Sequence, residues 1–293
     1  ARAVHSLRHS KKADQDAIQY HYDLSNEFYQ TWLDPAMVYS CAYFENGDET
    51  LEQAQQKKLD HILTKLRLSP GQSLLDIGCG WGALAEMCTT ELGATLVGVT
   101  LSTEQLGFAL ERVERLGMSE RADLRLQDYR DIGVVSPEAP FDAICSIEMI
   151  EAVGREYWPT YFATLARLLK PGGRACVQSI VIDDRLFERY VRSTDFIQQY
   201  IFPGGCLPCP SEFRTHARAA GFEVVDEYAF GLDYAETLRR WREAFLAARA
   251  QVLQGGFDER FVRIWEFYLA YCEAAFTEGD IDVVHYTLQK AHP

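Results

Sequence analysis

No apolar stretch in this chain reaches the ~18 residues that a membrane-spanning helix needs, and no signal peptide opens it. The chain begins at Ala1 rather than at a methionine, so a preceding segment is an open expectation. Basic residues are also scarce: 29 lysines and arginines against 43 acidic residues give a formal net charge of −14. That balance argues against a general nucleic-acid binder.

A second cysteine pair is also lacking. Cys206 and Cys209 form C-L-P-C, but a structural zinc site needs about four ligands, so we predict no metal. The remaining cysteines lie mostly in apolar or glycine-rich contexts, as buried free thiols do, and are too scattered for a disulfide scaffold. This usage favours a reducing cytoplasm. These remaining cysteines are Cys41, Cys79, Cys88, Cys145, Cys176 and Cys272.

The first twelve residues depart from the acidic average. Arg2, Arg8, Lys11 and Lys12 are basic, and no acid lies among them. A basic end on an acidic body can contact anionic lipid, so we expect a cytoplasmic protein that is peripheral to the inner membrane face. A solvated, frayed terminus is the simpler alternative.

Strand and helix patterns alternate through the middle of the chain. Hydrophobic residues make up 47% of the 293 residues, enough for a large core. The predicted strands are 73–77, 94–99, 123–127, 141–147 and 174–182. The predicted helices between them are 82–92, 102–117 and 155–169. Alternation at this pitch predicts βαβ units and a parallel sheet.

Further elements flank this alternation. Helices 14–33 and 51–68 are predicted before it, and segment 185–210 is aromatic and too long for a simple connection, which makes it a candidate lid. The predicted elements that follow are helix 211–220, strand 222–228, helices 236–254 and 258–277, and strand 283–288. Most aromatic residues of the last two helices are interpreted as core, with one wall of a long apolar pocket as the functional alternative. They are Trp241, Phe245, Phe257, Phe261, Trp265, Phe267, Tyr268, Tyr271 and Phe276.

A glycine-rich loop, L-L-D-I-G-C-G-W-G at 74–82, follows the first predicted strand and opens a helix. Its glycines let the backbone approach a ligand closely. The preceding Asp76 suits a ligand with a cationic group better than a pyrophosphate. An open sheet binds its ligand at the carboxyl ends of its strands, where Gly78, Gly80, Thr100 and Asp128 fall. The pattern resembles the first motif of S-adenosylmethionine-dependent methyltransferases.

The end of the second strand lacks the acid that many such enzymes use for the ribose hydroxyls. It reads G-V-T-L-S-T-E-Q at 98–105, with Thr100 at that place. Gln105, early in the next helix, offers a neutral amide for the same contact.

Two glutamates interrupt the apolar run I-C-S-I-E-M-I-E-A-V-G at 144–154. Burial of a carboxylate is costly unless a partner or a pKa shift compensates. Glu151 therefore indicates either chemistry at the strand end or a structural ion pair or helix cap, and the residues alone leave both open. No role is assigned to Glu148 from the sequence.

Seven segments together resemble the cyclopropane-fatty-acid synthase family. They are H-Y-D-L-S-N-E-F-Y, M-V-Y-S-C-A-Y-F, L-D-I-G-C-G-W-G, G-V-T-L-S-T-E-Q, L-Q-D-Y-R-D, Y-I-F-P-G-G-C-L-P and F-G-L-D-Y-A-E-T-L, in the family's order from about residue 20. The resemblance implies an α/β class I methyltransferase with a Rossmann-like seven-stranded sheet. It also implies S-adenosylmethionine as methyl donor and an unsaturated phospholipid acyl chain as substrate.

The whole chain, 1–293, is interpreted as one methyltransferase domain. Residues 1–68 would form a helical N-terminal cap over the cofactor, and 69–182 the cofactor-binding core. Residues 185–210 would form the inserted lid, and 211–293 would complete the sheet and add the aromatic helices.

The resemblance also implies roles for individual residues. Tyr39 and Ser40 would hold the methionine end of the cofactor and the glycine loop its middle. Thr100 and Gln105 would contact the ribose, and Asp128 and Tyr129 the adenine. A polar cluster would hold a bicarbonate ion that takes a proton after methyl transfer. Its members would be Cys41 and Ile180 through their backbones, Tyr234 through its hydroxyl, Glu151 and Gln178. Cys41 has no evident basic partner and is not interpreted as a nucleophile.

Two positions depart from the cyclopropanating pattern. That pattern has Glu-His where this chain has Glu151 and Ala152, and a histidine where this chain has Gln178. Glutamine can donate to an anion but cannot accept a proton at neutral pH, so bicarbonate is an open expectation. Glu151 would anchor the anion or act as the base itself. The departures favour a subgroup that forms methylene- or methyl-branched chains over strict cyclopropane synthesis.

Other functions stay open at this stage. A small-amine N-methyltransferase uses the same scaffold, and a module that binds S-adenosylmethionine without chemistry is a further alternative. A homodimer and a partner reductase are the remaining candidate partners.

Overall fold

The computed structural model describes residues 16, 21, 24–134 and 139–291. Seven strands form one sheet in the order β3-β2-β1-β4-β5-β7-β6. The strands β1 to β5 pair in parallel, and β7 lies antiparallel between β5 and β6. The bounds are β1 Ser73–Ile77, β2 Thr95–Thr100, β3 Ala122–Leu126, β4 Phe141–Ile147, β5 Leu169–Ile182, β6 Phe222–Ala229 and β7 Ile281–Lys290. The predicted seven-stranded α/β sheet is confirmed.

Helices cover both faces and the top of this sheet. They are α1 Asn26–Gln30, α2 Leu51–Leu66, α3 Ala83–Thr90, α4 Thr103–Arg115, α5 Trp158–Leu168, α6 Asp184–Tyr190, α7 Phe196–Tyr200, α8 Pro210–Ala219, α9 Gly231–Ala247, α10 Arg249–Gln254 and α11 Glu259–Glu278. Short 3₁₀ helices lie at Tyr129–Asp131, Ile150–Ala152 and Arg155–Tyr157.

Local sequence determines where α2 begins and ends. Thr50 and Gln53 form a reciprocal capping box at its start, which satisfies two otherwise unpaired backbone N–H groups. Arg67 takes a left-handed conformation with φ 53° and ends the helix. Between these ends, residues four apart share the buried face, and these are Ala54, Lys58, Ile62 and Leu66.

Two predicted boundaries differ from the structure. Strand β5 begins at Leu169, five residues before the predicted 174–182, because Leu169 pairs with Phe141 ahead of a register shift. Gly173 permits this close approach, since a Cβ there would lie 2.9 Å from the Asp142 carbonyl oxygen. The predicted helix 236–254 is interrupted at Ala248, which separates α9 from α10.

The N-terminal predictions are tested only in part. Of the predicted helix 14–33, the structure describes α1 and the separate residues Asp16 and His21. The basic residues at the start, up to Lys12, lie outside the described residues. Within the described residues, no helix is both long and apolar enough to cross a membrane.

Three hydrophobic clusters make the core. Two lie on opposite faces of the sheet, around α5 with α8 and around α2 with α3. The third joins the N-terminal segment to the late helices, and its members include Phe28, Trp32, Trp241, Phe245 and Trp265. The interpretation of most late aromatic residues as core is therefore confirmed. All eight cysteines are free and buried or half-buried, as predicted.

We predict that Gly98→Ala destabilises the protein by about 1–3 kcal/mol. Gly98 lies in β2, where a Cβ would come within 2.7 Å of Leu124 and 3.0 Å of Cys79 in the glycine loop. Chemical denaturation measures the change. Gly107→Ala is the matched control, because that exposed glycine of α4 has no neighbouring atom within 4 Å of an added Cβ. The control should gain about 0.5–1 kcal/mol. Equal effects of the two substitutions would contradict the packing account.

Candidate active site

One cavity of about 480 Å³ opens at the carboxyl ends of β1, β2 and β4. Its walls come from the glycine loop, the N-terminal cap, the segment with α6 and α7, and the late helices α9 and α11. The lid predicted at 185–210 and the aromatic helices therefore enclose the same space as the cofactor motif. Most site residues predicted from the sequence line this cavity, and these are Tyr39, Ser40, Asp76, Gly78, Gly80, Thr100, Gln105, Tyr129, Glu151, Ile180 and Tyr234.

The glycine loop needs its glycines for different reasons. Gly78 and Gly80 have φ values of 87° and 53°, which favour glycine. A Cβ on Gly78 would also lie 3.2 Å from the Met149 side chain. A Cβ on Gly80 would meet no described atom within 4 Å, because that side of the loop faces the open cavity.

Asp76 is a buried carboxylate beside this loop. Its Oδ1 has no hydrogen-bond partner among the residues that the structure describes. Burial raises the pKa of Asp76 to about 7, and the charge of Lys58 opposes this shift. A buried carboxyl that lines a cavity and has one oxygen without a partner fits a ligand that brings a cationic group.

Thr100 and Gln105 are joined at the end of β2. The Thr100 hydroxyl donates to Gln105 Oε1 at 3.0 Å, so the amide is oriented by the strand end. Asp128 behaves differently from the expectation for an adenine contact. Arg130 donates to both of its carboxylate oxygens at 2.8 and 2.6 Å, and Asp128 is absent from the described cavity lining, whereas Tyr129 lines it.

Tyr39 and Ser40 are positioned by polar contacts from other segments. The Tyr39 hydroxyl lies 2.9 Å from the Tyr268 hydroxyl and 3.2 Å from His21 Nε2. Lys58 donates from Nζ to Ser40 Oγ at 2.6 Å. The segment with Tyr39 and Ser40 is thereby tied to α2 and to α11.

The Glu148 carboxylate accepts hydrogen bonds from three other segments. Its Oε1 accepts from the Cys41 backbone N–H at 2.9 Å and from Gln178 Nε2 at 2.7 Å, and its Oε2 accepts from the Tyr234 hydroxyl at 2.6 Å. Burial raises the pKa of Glu148, while these donors oppose the rise. The predicted cluster members Cys41, Gln178 and Tyr234 are thus brought together around this side chain.

Glu151 lies on the cavity wall next to this cluster. Its Oε1 accepts from the Ile180 backbone N–H at 2.5 Å, and its Oε2 has no hydrogen-bond partner within the described part of the chain. Burial, followed by repulsion from Glu148, raises the pKa of Glu151 to about 8. The two carboxyls therefore act as a coupled pair that holds a proton at neutral pH.

Gln178 is fully buried and engaged at both ends of its amide. While Nε2 donates to Glu148, Oε1 lies 2.7 Å from His285 Nε2, and His285 Nδ1 lies 2.9 Å from His61 Nδ1. In this arrangement His285 donates from Nε2 and accepts at Nδ1 as a neutral ring. Burial also lowers the pKa of His285 well below its usual value.

Cys41 contributes its backbone rather than its sulfur. Its thiol is buried and donates to the Ala42 carbonyl oxygen at 3.1 Å. Burial, followed by the charge of Glu148, raises the pKa of this thiol well above its usual value. This agrees with the prediction that Cys41 is not a nucleophile.

Sequence reasoning missed Lys58 and left Glu148 without a role. Lys58 falls at the i+4 position between Ala54 and Ile62 on the buried face of α2, a pattern that marks a cation inside the core. Glu148 follows directly on the buried strand β4, where a carboxylate needs donors within the protein.

Comparison with known proteins agrees with this geometry. The family model described as mycolic acid cyclopropane synthetase matches residues 9–286. This chain belongs to that family. The tuberculostearic acid methyltransferase UfaA1 of Mycobacterium tuberculosis is 39% identical over 97% of this chain and 67% of its own length. The cyclopropane-fatty-acyl-phospholipid synthase of Escherichia coli K12 is 40% identical over 94% of this chain and 68% of its own.

A solved structure matches the fold closely. The mycolic acid cyclopropane synthase CmaA1, complexed with SAH and CTAB, superposes with a TM-score of 0.87 at 34% identity and covers 94% of this chain and 98% of its own. The chain is thus an S-adenosylmethionine-dependent methyltransferase with the class I fold. Open space at Gly80 and the Asp76 Oδ1 atom, which has no partner among the described residues, fit that cofactor.

We predict that the affinity for S-adenosylmethionine rises with pH and that Asp76 causes the rise. With a pKa of about 7, Asp76 is mostly protonated at about pH 6 and mostly ionised at about pH 8. Only the ionised form attracts a cationic ligand, so binding should tighten by up to about tenfold. Calorimetry at both pH values measures this.

Asp76→Asn should flatten that pH dependence. Asp142→Asn is the control, since Asp142 begins the neighbouring strand at the end away from the cavity and pairs with Lys170. If the slope persists in Asp76→Asn, another group causes it.

Proposed function

We propose that this enzyme transfers the methyl group of S-adenosylmethionine to a double-bond carbon of an unsaturated acyl chain in a phospholipid. The observation that carries the proposal is the continuity of one cavity. It extends from the glycine loop past the glutamate pair to the space between the lid and α11. Cofactor, base and an elongated substrate can therefore meet in one place.

The lining beyond the glutamates suits an acyl chain. Its side chains are mainly aliphatic and aromatic, and include Leu186, Ile197, Phe202, Leu207, Ala275 and Phe276. An apolar chain gains free energy in such a channel, at ~25 cal/mol per Å² of apolar surface removed from water. A compact amine would leave most of that apolar lining unfilled.

The reaction needs positive charge to be stabilised in a dry site. When bound, S-adenosylmethionine would supply the methyl group. The double-bond electrons would form the new C–C bond while the S–CH3 bond breaks and its electron pair stays on sulfur. S-adenosylhomocysteine and a cation on the neighbouring carbon of the acyl chain would result. The Tyr234 and Phe276 rings, whose centroids are 4.5 Å apart, line the cavity beside the glutamates. Aromatic faces and a carboxylate both attract a cation at close range.

The surroundings of Gln178 favour a branched product. A base at that position could take a proton from the new methyl group, which closes a cyclopropane ring. Gln178 has no basic atom, and its amide is engaged with Glu148 and His285. A hydride shift followed by proton loss from a neighbouring carbon instead gives a methylene branch. Reduction to a methyl branch would require a partner reductase.

An aromatic patch at the cavity mouth supports delivery of the substrate from a lipid surface. Tyr200, Phe267 and Tyr271 are 46%, 51% and 39% exposed. Phe196 packs against Phe267 with ring centroids 4.7 Å apart, and Tyr271 also lines the cavity. Aromatic side chains are favoured where one end is apolar and the other is wet. Peripheral membrane contact is part of the proposal.

Mass spectrometry of host lipids with and without the protein tests this function. We expect phospholipids whose acyl chains are heavier by one methylene group and have lost a double bond or moved it to the branch. Gly80→Val is the control, because it fills the cofactor side of the glycine loop and should abolish these products. Unchanged lipids together with methylation of small amines would favour an amine N-methyltransferase.

We predict that Gln178→His shifts the product towards cyclopropane. The new imidazole would stand beside Glu148 and could accept a proton. From one defined unsaturated phospholipid, the ratio of cyclopropane to branched product should rise about tenfold, which corresponds to ~1.4 kcal/mol between the two barriers. Gln72→His, outside the cavity lining at the start of β1, is the control. A wild-type enzyme that makes only cyclopropane would contradict this interpretation.

A further inference from the structure

The carboxylate of Glu148 fills a site whose surrounding hydrogen-bond donors are those of an anion-binding site. A backbone N–H, an amide N–H and a phenol converge on it from the cap, from β5 and from α9. Such a set of donors is what a small oxyanion needs when it is removed from water. All three donors, on Cys41, Gln178 and Tyr234, belong to the groups that the family resemblance assigns to a bound bicarbonate.

The backbone at Glu148 is held in an unusual conformation. Its φ is 50°, in the left-handed region that costs most residues about 1 kcal/mol or more. The Glu148 N–H donates to the Gln178 carbonyl oxygen at 2.8 Å, which fixes the turn at the end of β4. This turn directs the side chain back under the cap instead of into the solvent, so the strain serves the position of the carboxylate.

The two glutamates of the pair are not equivalent. Glu148 uses both of its oxygens to accept from three segments, whereas Glu151 leaves Oε2 without a partner among the described residues. Donors stabilise the charged form of a carboxyl, and two neighbouring buried carboxylates resist double ionisation. Glu148 is therefore the member that carries the negative charge, and Glu151 the member that holds the proton.

We propose that Glu148 is the resident base of the reaction and makes a diffusible bicarbonate unnecessary. The inference rests on the proposed function for its substrate, but its anion site can be tested without turnover. Both Glu148 and Glu151 line the cavity that reaches the glycine loop. No other described carboxylate of that lining is held by donors from three segments.

The step balances without an added reactant. After methyl transfer, the cationic carbon of the acyl chain lacks one electron pair. A C–H bond next to the cationic carbon breaks, its electron pair forms the new C=C bond, and its proton goes to a Glu148 carboxylate oxygen. The carboxylate becomes a neutral carboxylic acid, and the cationic charge is removed. The proton leaves to solvent after the product, which restores the charged form.

Glu148→Gly vacates the anion site, and glycine suits the left-handed backbone at this position. We expect turnover without bicarbonate to fall by about 10²-fold or more, as for other acid–base groups. Added bicarbonate should restore a large part of it, because the donors of Cys41, Gln178 and Tyr234 are then free to hold the ion. Wild-type turnover should be the same with and without bicarbonate.

A binding measurement supports or overturns the anion site independently of activity. Calorimetry and NMR of isotopically labelled bicarbonate should detect one bound ion in Glu148→Gly and none in the wild type. Arg67→Gly is the matched control, since Arg67 also has a left-handed backbone but is exposed and lies outside the cavity lining. It should bind no bicarbonate and keep wild-type turnover.

Glu148→Gln separates the base from the space that it fills. The amide keeps the site occupied but has no basic oxygen, so turnover should fall and bicarbonate should restore nothing. The inference is overturned if the wild type binds bicarbonate and depends on it, or if Glu148→Gln retains full turnover. Failure of the proposed function looks different: wild-type protein then leaves unsaturated phospholipid unchanged, while bicarbonate binding by Glu148→Gly is still measurable.

Discussion

A carboxylate that is buried at the end of a strand must find its donors inside the protein, and the donors of Glu148 lie far from it in the sequence. Cys41 belongs to the cap, Gln178 to β5 and Tyr234 to α9. Loss of one donor to a buried charged group costs about 1–3 kcal/mol or more, so all these segments must be in place together. The position of the segment with Cys41 over the cavity is thereby coupled to the position of the Glu148 carboxylate. The active site is thus assembled by the same contacts that hold the layers together.

Strand positions could be predicted closely because they depend on local patterns. The runs at 73–77 and 141–147 are short, apolar and bounded by turn residues, and the structure has strands at Ser73–Ile77 and Phe141–Ile147. The break at Ala248 could not be predicted, because the surrounding alanine-rich sequence favours a continuous helix. Helix propensity is local, whereas the interruption depends on how α9 and α10 pack against the rest of the protein.

The positions of site residues could be predicted where a motif determines the backbone conformation. They could be predicted less well where side chains form hydrogen bonds with distant segments. Gly78 and Gly80 lie where the motif requires, since their conformations follow from the strand–loop–helix geometry. Asp128 also occupies its predicted position after β3, but its carboxylate is taken up by Arg130, two residues away. Which carboxyl becomes the centre of the polar cluster, Glu148 or Glu151, depends on donors from distant segments, and the spacing of the two glutamates contains no such information.

Burial of Glu148 and Glu151 also makes the stability of the folded protein depend on pH. A carboxyl whose pKa is raised in the folded state binds its proton more tightly there than in the unfolded chain. For Glu151, with a folded pKa of about 8 against a usual 4.5, folding is favoured most below the usual value and is progressively disfavoured as pH rises towards about 8. The charge of Glu148 adds to this loss, because it is the second cause, after burial, of the raised pKa of Glu151. At neutral pH the pair therefore keeps the proton of Glu151. If Glu148 is the base, as proposed above, this state offers a base to the substrate without forcing two charges into an apolar channel.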